Sequence, residues 1–283
     1  ESLVCFENLT SVGVTLVTHE DLEDGEQTVR VPRIGTTLVE PESQTSVVYI
    51  SEECVLEDVI KFEGLTPGKE YEATGTLYDV QTGEAILNSD GTPVVSEVAK
   101  FIPQTCDGEV KVTFRFNSSL ITSEIRTIVA FEDVYDLKSG RLVATHADLN
   151  DTNQQVKVPS VTTTATVNGN KVFLPSENAS LKDVISYTGL EAGRTYRVET
   201  SVMRKDGTEF QVDGVSVNNV STFTPTDSDG FYSVEFSFNA KSLLNEQQLV
   251  VYQLIYDDGT NRLVASHCDK EAEGQTVTAR FIV

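Results

Sequence analysis

A histidine followed two residues later by an aspartate and eight residues later by a glutamine occurs three times in this chain. The sets are His19, Asp21 and Gln27; His146, Asp148 and Gln154; and His267, Asp269 and Gln275. The glutamines lie 127 residues (Gln27 to Gln154) and 121 residues (Gln154 to Gln275) apart, so the period is one domain. Matches upstream extend the repeat. "VPRIGTTLV" from Val31 pairs with "VPSVTTTAT" from Val158, and "LEDVIKFEGLTPGKEYEATGTLYD" from Leu56 pairs with "LKDVISYTGLEAGRTYRVETSVMR" from Leu181. The expected organisation is two complete repeats, 33–159 and 160–283. Residues 1–32 read as the C-terminal hairpin of an incomplete preceding repeat.

Within each repeat the apolar period is two. Val110, Val112, Phe114 and Phe116 alternate with polar residues, as do Val234, Phe236 and Phe238, which is the pattern of half-buried strands. "TPGKE", "SDGTP", "LKSG" and "DDGT" punctuate them at hairpin spacing. No window of a dozen residues keeps a helical stripe. The fold class predicted is all-β: tandem immunoglobulin-like antiparallel β-sandwich domains, joined through short "RVP" and "KVP" linkers into an elongated rod.

Composition excludes several functions. Of 283 residues, 21 are Lys or Arg and 44 are Asp or Glu, a formal charge of −23 that opposes phosphate binding, so no nucleic acid is expected as a partner. The longest apolar run, Leu249–Tyr256, is interrupted by Gln253 and is far short of the ~20 residues that span a bilayer, so no membrane insertion is expected in this segment. The chain starts at Glu1 without methionine, leader or anchor and reads as an interior piece of a longer protein. Four cysteines without CxxC spacing suggest neither a disulfide scaffold nor zinc, and no EF-hand-like spacing occurs, so no metal or cofactor is expected. Cys54 and Cys106 are jointly replaced by Ala179 and Ser228 in the second repeat, which permits a disulfide between them.

Strand parity locates the chemistry, because residues two apart share a face. Ile34, Thr36 and Leu38 share one, as do Val161, Thr163 and Ala165. Asp58 aligns with Ile60 and Phe62, Glu132 with Ile128 and Ala130, and His146 with Ala144. Gln154 aligns with Val156 and Val158, and Gln275 with Val277. Each complete repeat therefore directs a threonine, an aspartate, a glutamate or glutamine, a histidine and a glutamine toward its core. Burying these without mutual partners costs several kcal/mol, so they satisfy one another or react. A β-bulge would turn Thr37 and Thr164 inward instead, and that alternative stays open. Asp148 and its equivalents are read as turn caps.

At these residues the chain resembles the VaFE-repeat, or Thr–Gln ester-bond, domains of Gram-positive bacterial surface adhesins. "IVAFED" from Ile128 is close to the motif that names the repeat, and "HADLNDTNQ" matches its His-x-Asp-x5-Gln signature. The resemblance implies an intramolecular ester, formed with loss of ammonia, between Thr36 and Gln154 and between Thr163 and Gln275. Asp58, Glu132, His146, Asp183, Gln253 and His267 are implied as the groups that catalyse it. It also implies an extracellular location on a bacterial cell surface, wall-anchored in the parent protein, and a structural role as a stalk segment. The partners are then neighbouring repeats of the same chain, and a host ligand would engage a tip domain outside this segment.

The chemistry is consistent with those residue types. An amide is a poor electrophile and a hydroxyl a weak nucleophile, so both need activation and close placement. A histidine can shuttle the hydroxyl proton. Asp58 and Glu132 in contact cannot both ionise cheaply, so they keep one proton, expected to hydrogen-bond the glutamine carbonyl. The second repeat has Gln253 in "VYQL" where the others have Glu7 and Glu132, and slower or incomplete cross-linking is expected there. Three other readings compete. A glycan- or protein-binding module is opposed by loops without tryptophan. A turnover hydrolase is opposed by the inward parity, so the chemistry is expected to be single-turnover and the chain not an enzyme. A lysine–asparagine isopeptide lacks its lysine in both first strands.

Overall fold

The computed structural model describes residues 2–281. Its regular structure is strand, with three short 3₁₀ turns among the described residues. Alternation dictates the strands: in Cys54–Glu63 and Tyr71–Asp79 nearly every second residue is buried while the intervening ones are not.

The first repeat is two facing antiparallel sheets. One orders Arg33–Val39, Cys54–Glu63 and Gly108–Phe116. The other orders Leu142–His146, Thr127–Asp136, Tyr71–Asp79 and Ala99–Phe101, with Gln155–Lys157 pairing the start of Thr127–Asp136. Leu38, Leu56, Ile60, Leu77, Phe114 and Ile128 fill the space between them. The second repeat repeats this plan with Ser160–Val167, Ala179–Thr188 and Gly230–Phe238 against a sheet centred on Tyr196–Arg204 and Gln248–Asp257. Its last strand, Thr276–Ala279, pairs Gln248–Val250, as Gln155–Lys157 pairs Thr127–Val129. First and last strands thus lie in opposite sheets of each sandwich.

One register recurs in all three copies of the motif. Glu7 faces His19, Glu132 faces His146 and Gln253 faces His267 across a two-stranded ladder. Each ladder then shifts two or three residues further on, at Leu9/Thr10, Val134/Tyr135 and Ile255/Tyr256. Among the described residues, the N-terminal copy contributes the hairpin Glu7–Ser11/Val14–His19 and the pair Ser2–Val4/Thr28–Arg30. Leu3, Leu9, Val14, Leu16 and Val17 are exposed on it, with no second sheet among the described residues to cover them.

The two repeats touch through a segment of the first. Beyond Val39 the chain crosses onto the second repeat, where Val47 and Tyr49 join a cluster with Tyr196, Val198, Ile255 and Val264. The Tyr49 hydroxyl donates to Asp257 Oδ2 at 2.5 Å, the Arg262 guanidinium lies 4.2 Å from the Tyr49 ring centroid, and Ile50 N–H donates to the Leu263 carbonyl. Arg262 also pairs with the buried Glu40. The permitted disulfide does not form: all four cysteines are free. Cys54 pairs with Phe116 at one end of a ladder whose other end pairs Phe62 with Gly108, next to Cys106, so the two thiols sit at opposite ends of the sandwich.

Candidate functional site

In the first repeat, four elements converge on one buried point. Thr36 comes from the first strand, Asp58 from the second and Glu132 from the facing sheet. Gln154 comes from the 3₁₀ turn Thr152–Gln154 that leads into the last strand. Asp58, Glu132 and Gln154 have no exposed surface and Thr36 is 6% exposed. Thr37 points to solvent, and the ladder between Arg33–Val39 and Cys54–Glu63 runs without a bulge from Arg33 to Val39.

Gln154 Nε2 donates to Thr36 Oγ1 and, at 2.5 Å, to Glu132 Oε2. Thr36 Oγ1 in turn donates to Glu132 Oε2 at 3.1 Å, and Thr37 N–H donates to Asp58 Oδ1 at 2.9 Å. The carboxyl oxygens left without a donor are Asp58 Oδ2 and Glu132 Oε1, which one shared proton would satisfy. Burial, followed by the hydrogen bond to and charge of Asp58, pushes the Glu132 carboxyl up to about 11. Burial also raises Asp58, against hydrogen bonds from Glu132 and Thr37 N–H. The pair therefore holds a proton at neutral pH. One detail differs from the expectation: Glu132 faces the Gln154 nitrogen, and Gln154 Oε1 is buried without a partner. The single glutamate oxygen is already bridged between the threonine hydroxyl and the amide nitrogen, which turns the carbonyl away. His146 is one strand further out. Its Nε2 is 3.3 Å from Asp151 Oδ2, and its Nδ1 is buried without a partner.

The second repeat places the corresponding residues but arranges them differently. Thr163, Asp183, Gln253 and Gln275 are all buried, while Thr164 is exposed. Gln275 does not reach the threonine. Its Nε2 donates to the Val251 and His267 carbonyls at 2.7 and 2.6 Å, and its Oε1 accepts from Asp269 N–H. Thr163 Oγ1 contacts His267 Nδ1 at 3.2 Å, and Thr163 N–H donates to the same nitrogen at 3.1 Å. Gln253 Nε2 donates to Asp183 Oδ2 at 2.8 Å, and Asp183 Oδ1 has no donor. Burial raises Asp183 to about 6, against the Gln253 hydrogen bond and the charge of Lys171, and burial lowers His267.

Two residues that sequence reasoning passed over shape these sites. Thr200, opposite Gln253 in the ladder, donates its hydroxyl to Gln253 Oε1 at 2.7 Å; the equivalent position opposite Glu132 is Gly75. A Cβ on Gly75 would stand 2.6 Å from Phe114 Cζ and 3.4 Å from Glu132 Oε1. Glycine thus pairs with the glutamate and threonine with the glutamine. The second residue is Asp151, five positions after the histidine. Aligning the motifs would have flagged it, because Asp24 and Asp151 stand where the third copy has Ala272. The aspartates two residues after the histidines are turn formers: Asp21, Asp148 and Asp269 each accept the N–H two residues on.

A family model described as "T-Q ester bond containing domain" matches residues 1–31, 32–158 and 159–279. Comparison with curated proteins gave no match. Among solved structures, two crystal forms of a bacterial adhesin from Mobiluncus mulieris containing intramolecular disulfide, isopeptide and ester bond cross-links are similar at 10% and 12% identity. The first covers 79% of this chain and 81% of that one at a TM-score of 0.37; the second covers 88% and 93% at 0.35. A Bacteroides uniformis β-glucuronidase is similar at 11% identity over 75% of this chain and 25% of its own, with a TM-score of 0.29. These scores are low, and the family match carries the assignment.

Proposed function

The chain belongs to the family of T-Q ester bond containing domains, whose model covers almost all of it, and from that premise we propose that its first repeat cross-links itself through a Thr36–Gln154 ester. The observation that carries this reading is the contact of Gln154 Nε2 with Thr36 Oγ1 and Glu132 Oε2 inside a site closed to water. The Thr36 Oγ1–H proton passes to Asp58 or His146 as Oγ1 attacks Gln154 Cδ. Glu132 supplies a proton to Nε2, and the Cδ–Nε2 bond breaks to release ammonia. The carboxyl pair then recovers its proton from the base, so the site ends one ester and one ammonia later in its starting protonation state. Contact geometry contributes ~7–11 kcal/mol where orientation is good. Exclusion of water protects the product. The reaction occurs once per site and turns over no external substrate.

The second repeat carries Thr163 and Gln275 as its candidate pair, with Asp183, Gln253 and His267 around them. Its bond forms more slowly or incompletely, because Gln275 must first leave three hydrogen bonds and Gln253 cannot exchange a proton. The biological role proposed is a stalk segment of a bacterial surface adhesin, extracellular, with neighbouring repeats of the same chain as its partners. Support comes from the tandem arrangement, the two-residue linker Val158–Pro159 and the resemblance to VaFE-repeat adhesins. Intact mass with peptide mapping tests the chemistry. A first repeat lighter by one ammonia, joined at Thr36 and Gln154, is expected. A first repeat at full mass would sink the ester reading, and an equally complete second repeat would contradict the impairment.

A further inference from the structure

The arm that carries the first repeat onto the second has a counterpart in the second repeat that lies open to solvent. In the first repeat Lys157 N–H donates to the Ser46 carbonyl and Val47 forms a parallel bridge with Lys157. In the second, Thr278 N–H donates to the Lys171 carbonyl and Val172 pairs in parallel with Thr278. Val47, Val48 and Tyr49 therefore correspond to Val172, Phe173 and Leu174. Val48 and Phe173 face the cores of their own repeats. Val47 and Tyr49 point the other way and are 3% exposed, because the second repeat covers them; Val172 and Leu174 are 43% and 53% exposed.

The receiving face has an uncovered counterpart too. On the second repeat the arm bonds to Leu263, whose carbonyl accepts Ile50 N–H, and packs in the cluster of Val264, which is buried. Leu142 and Val143 hold the same rungs of the first repeat, since Leu142 faces Tyr135 as Leu263 faces Tyr256. There Leu142 is 53% exposed and Val143 only half-buried. Asp257, held by Arg194, becomes Asp136, held by Lys69 Nζ at 2.5 Å. The first repeat thus presents a face of the kind on which an arm sits, and the second presents an arm.

We propose that Val172 and Leu174 are the docking edge for a further repeat of this fold on the same chain, seating on that repeat's equivalents of Leu142 and Val143. The proposal deepens the stalk reading and rests on it, but not on the ester. The second arm keeps the apolar part of the first contact alone. Leu174 has no hydroxyl to offer a carboxylate that Lys69 already neutralises, and Pro175, in the place of Ile50, has no N–H to donate. Two apolar side chains fall far below the roughly 1,200–2,000 Å² that stable free partners bury. The partner is therefore a tandem neighbour, to which a short linker gives an effective concentration on the order of millimolar.

The test lengthens the chain: residues 1–280 are followed directly by a second copy of residues 33–159, which puts Arg280 in the place of Pro159 and keeps the linker length. Labelling is read on chains whose two copies of Cys54–Glu63 exchange hydrogen as one slow population, so that the appended repeat is folded. Photochemical carbene labelling, read by peptide mass, reports the exposure of Val172 and Leu174, which the longer chain still holds once. Their labelling is expected to fall about 10-fold on lengthening, the ratio of their present exposure to that of Val47 and Tyr49. Leu142→Asp in the appended copy alone should restore it, and the same change in the original copy should not. Undiminished labelling in the lengthened chain overturns the proposal, as does protection that survives Leu142→Asp in the appended copy. Val47 and Tyr49 in the 283-residue chain separate that failure from failure of the stalk reading. If they label as strongly as Val172 and Leu174, the repeats do not dock and the stacked reading falls with the proposal. If they stay protected, only the docking edge of the second repeat is refuted.

Discussion

At the scale of single residues, the shared proton of Asp58 and Glu132 has a thermodynamic signature. Both carboxyls are raised in the folded state, Glu132 to about 11, whereas an unfolded glutamate titrates near ~4.3. The native state therefore holds a proton that the unfolded chain releases. Its stabilising contribution is complete below the unfolded carboxyl range and is lost progressively as pH rises toward the folded value. In Thr36→Val, which cannot form the ester, the first repeat's melting temperature should fall between about pH 5 and about pH 9, and Glu132→Gln should flatten that slope. A slope that survives Glu132→Gln would place the proton elsewhere. Asp183, raised to about 6, gives the second repeat the same sign, with its contribution present below the unfolded aspartate range and lost by about pH 6. Gly75 is a steric counterpart of this pair. Its substitution by alanine drives a Cβ to 2.6 Å from Phe114 Cζ and should cost ~1–3 kcal/mol in a chemical denaturation series, as overpacked cores do. An unchanged midpoint would mean that Phe114 moves freely.

At the scale of elements, the differences between repeats are paired across strands. Glycine opposite glutamate and threonine opposite glutamine occupy the same rung of the same ladder. Restoring the first arrangement in the second repeat, Thr200→Gly with Gln253→Glu, should speed the Thr163–Gln275 bond on the order of 100-fold, read as the linked peptide after refolding. No gain would show that the orientation of Gln275, and not the missing carboxyl, limits this repeat. Strand parity made much of the site legible, because a period of two leaves little choice of face: Thr36, Asp58, Glu132 and Gln154 all point inward as their neighbours require. Parity could not report rotamers, so Gln154 and Gln275 looked equivalent although one contacts its threonine and the other is bonded to Val251, His267 and Asp269. Nor could it reveal the recurring bulge after the histidine rung, which adds a residue without changing the apolar pattern before it. Thr200 was hidden because a threonine in a strand is ordinary, and its meaning lies in the residue it faces.

At the scale of the whole molecule, the −23 charge is spread over the N-terminal hairpin and the two sandwiches, and charges of both signs are paired where the sandwiches meet. Where the repeats meet, Asp257 is 1% exposed and receives the Tyr49 hydroxyl and the Arg194 guanidinium, while Arg262 sits on the Tyr49 ring and pairs with Glu40. Burial alone would raise Asp257, but Tyr49 and Arg194 outweigh it and hold the carboxyl below its usual range. Tyr49 belongs by sequence to the first repeat and by packing to the second, since its buried neighbours are Tyr196, Val198, Ile255 and Val264. A pull along the chain would therefore load this contact as well as the two-residue linker. Truncation to Tyr49→Ala removes the ring, the hydroxyl on Asp257 and the platform under Arg262 together. It should cost about 3 kcal/mol, the lower end for a buried aromatic, and the loss should fall on the second repeat. Hydrogen exchange resolved by repeat measures this: faster exchange is expected in Tyr196–Arg204 and Gln248–Asp257, with Cys54–Glu63 unchanged. Faster exchange confined to Cys54–Glu63 would return Tyr49 to its own sandwich and leave the linker alone to join the repeats.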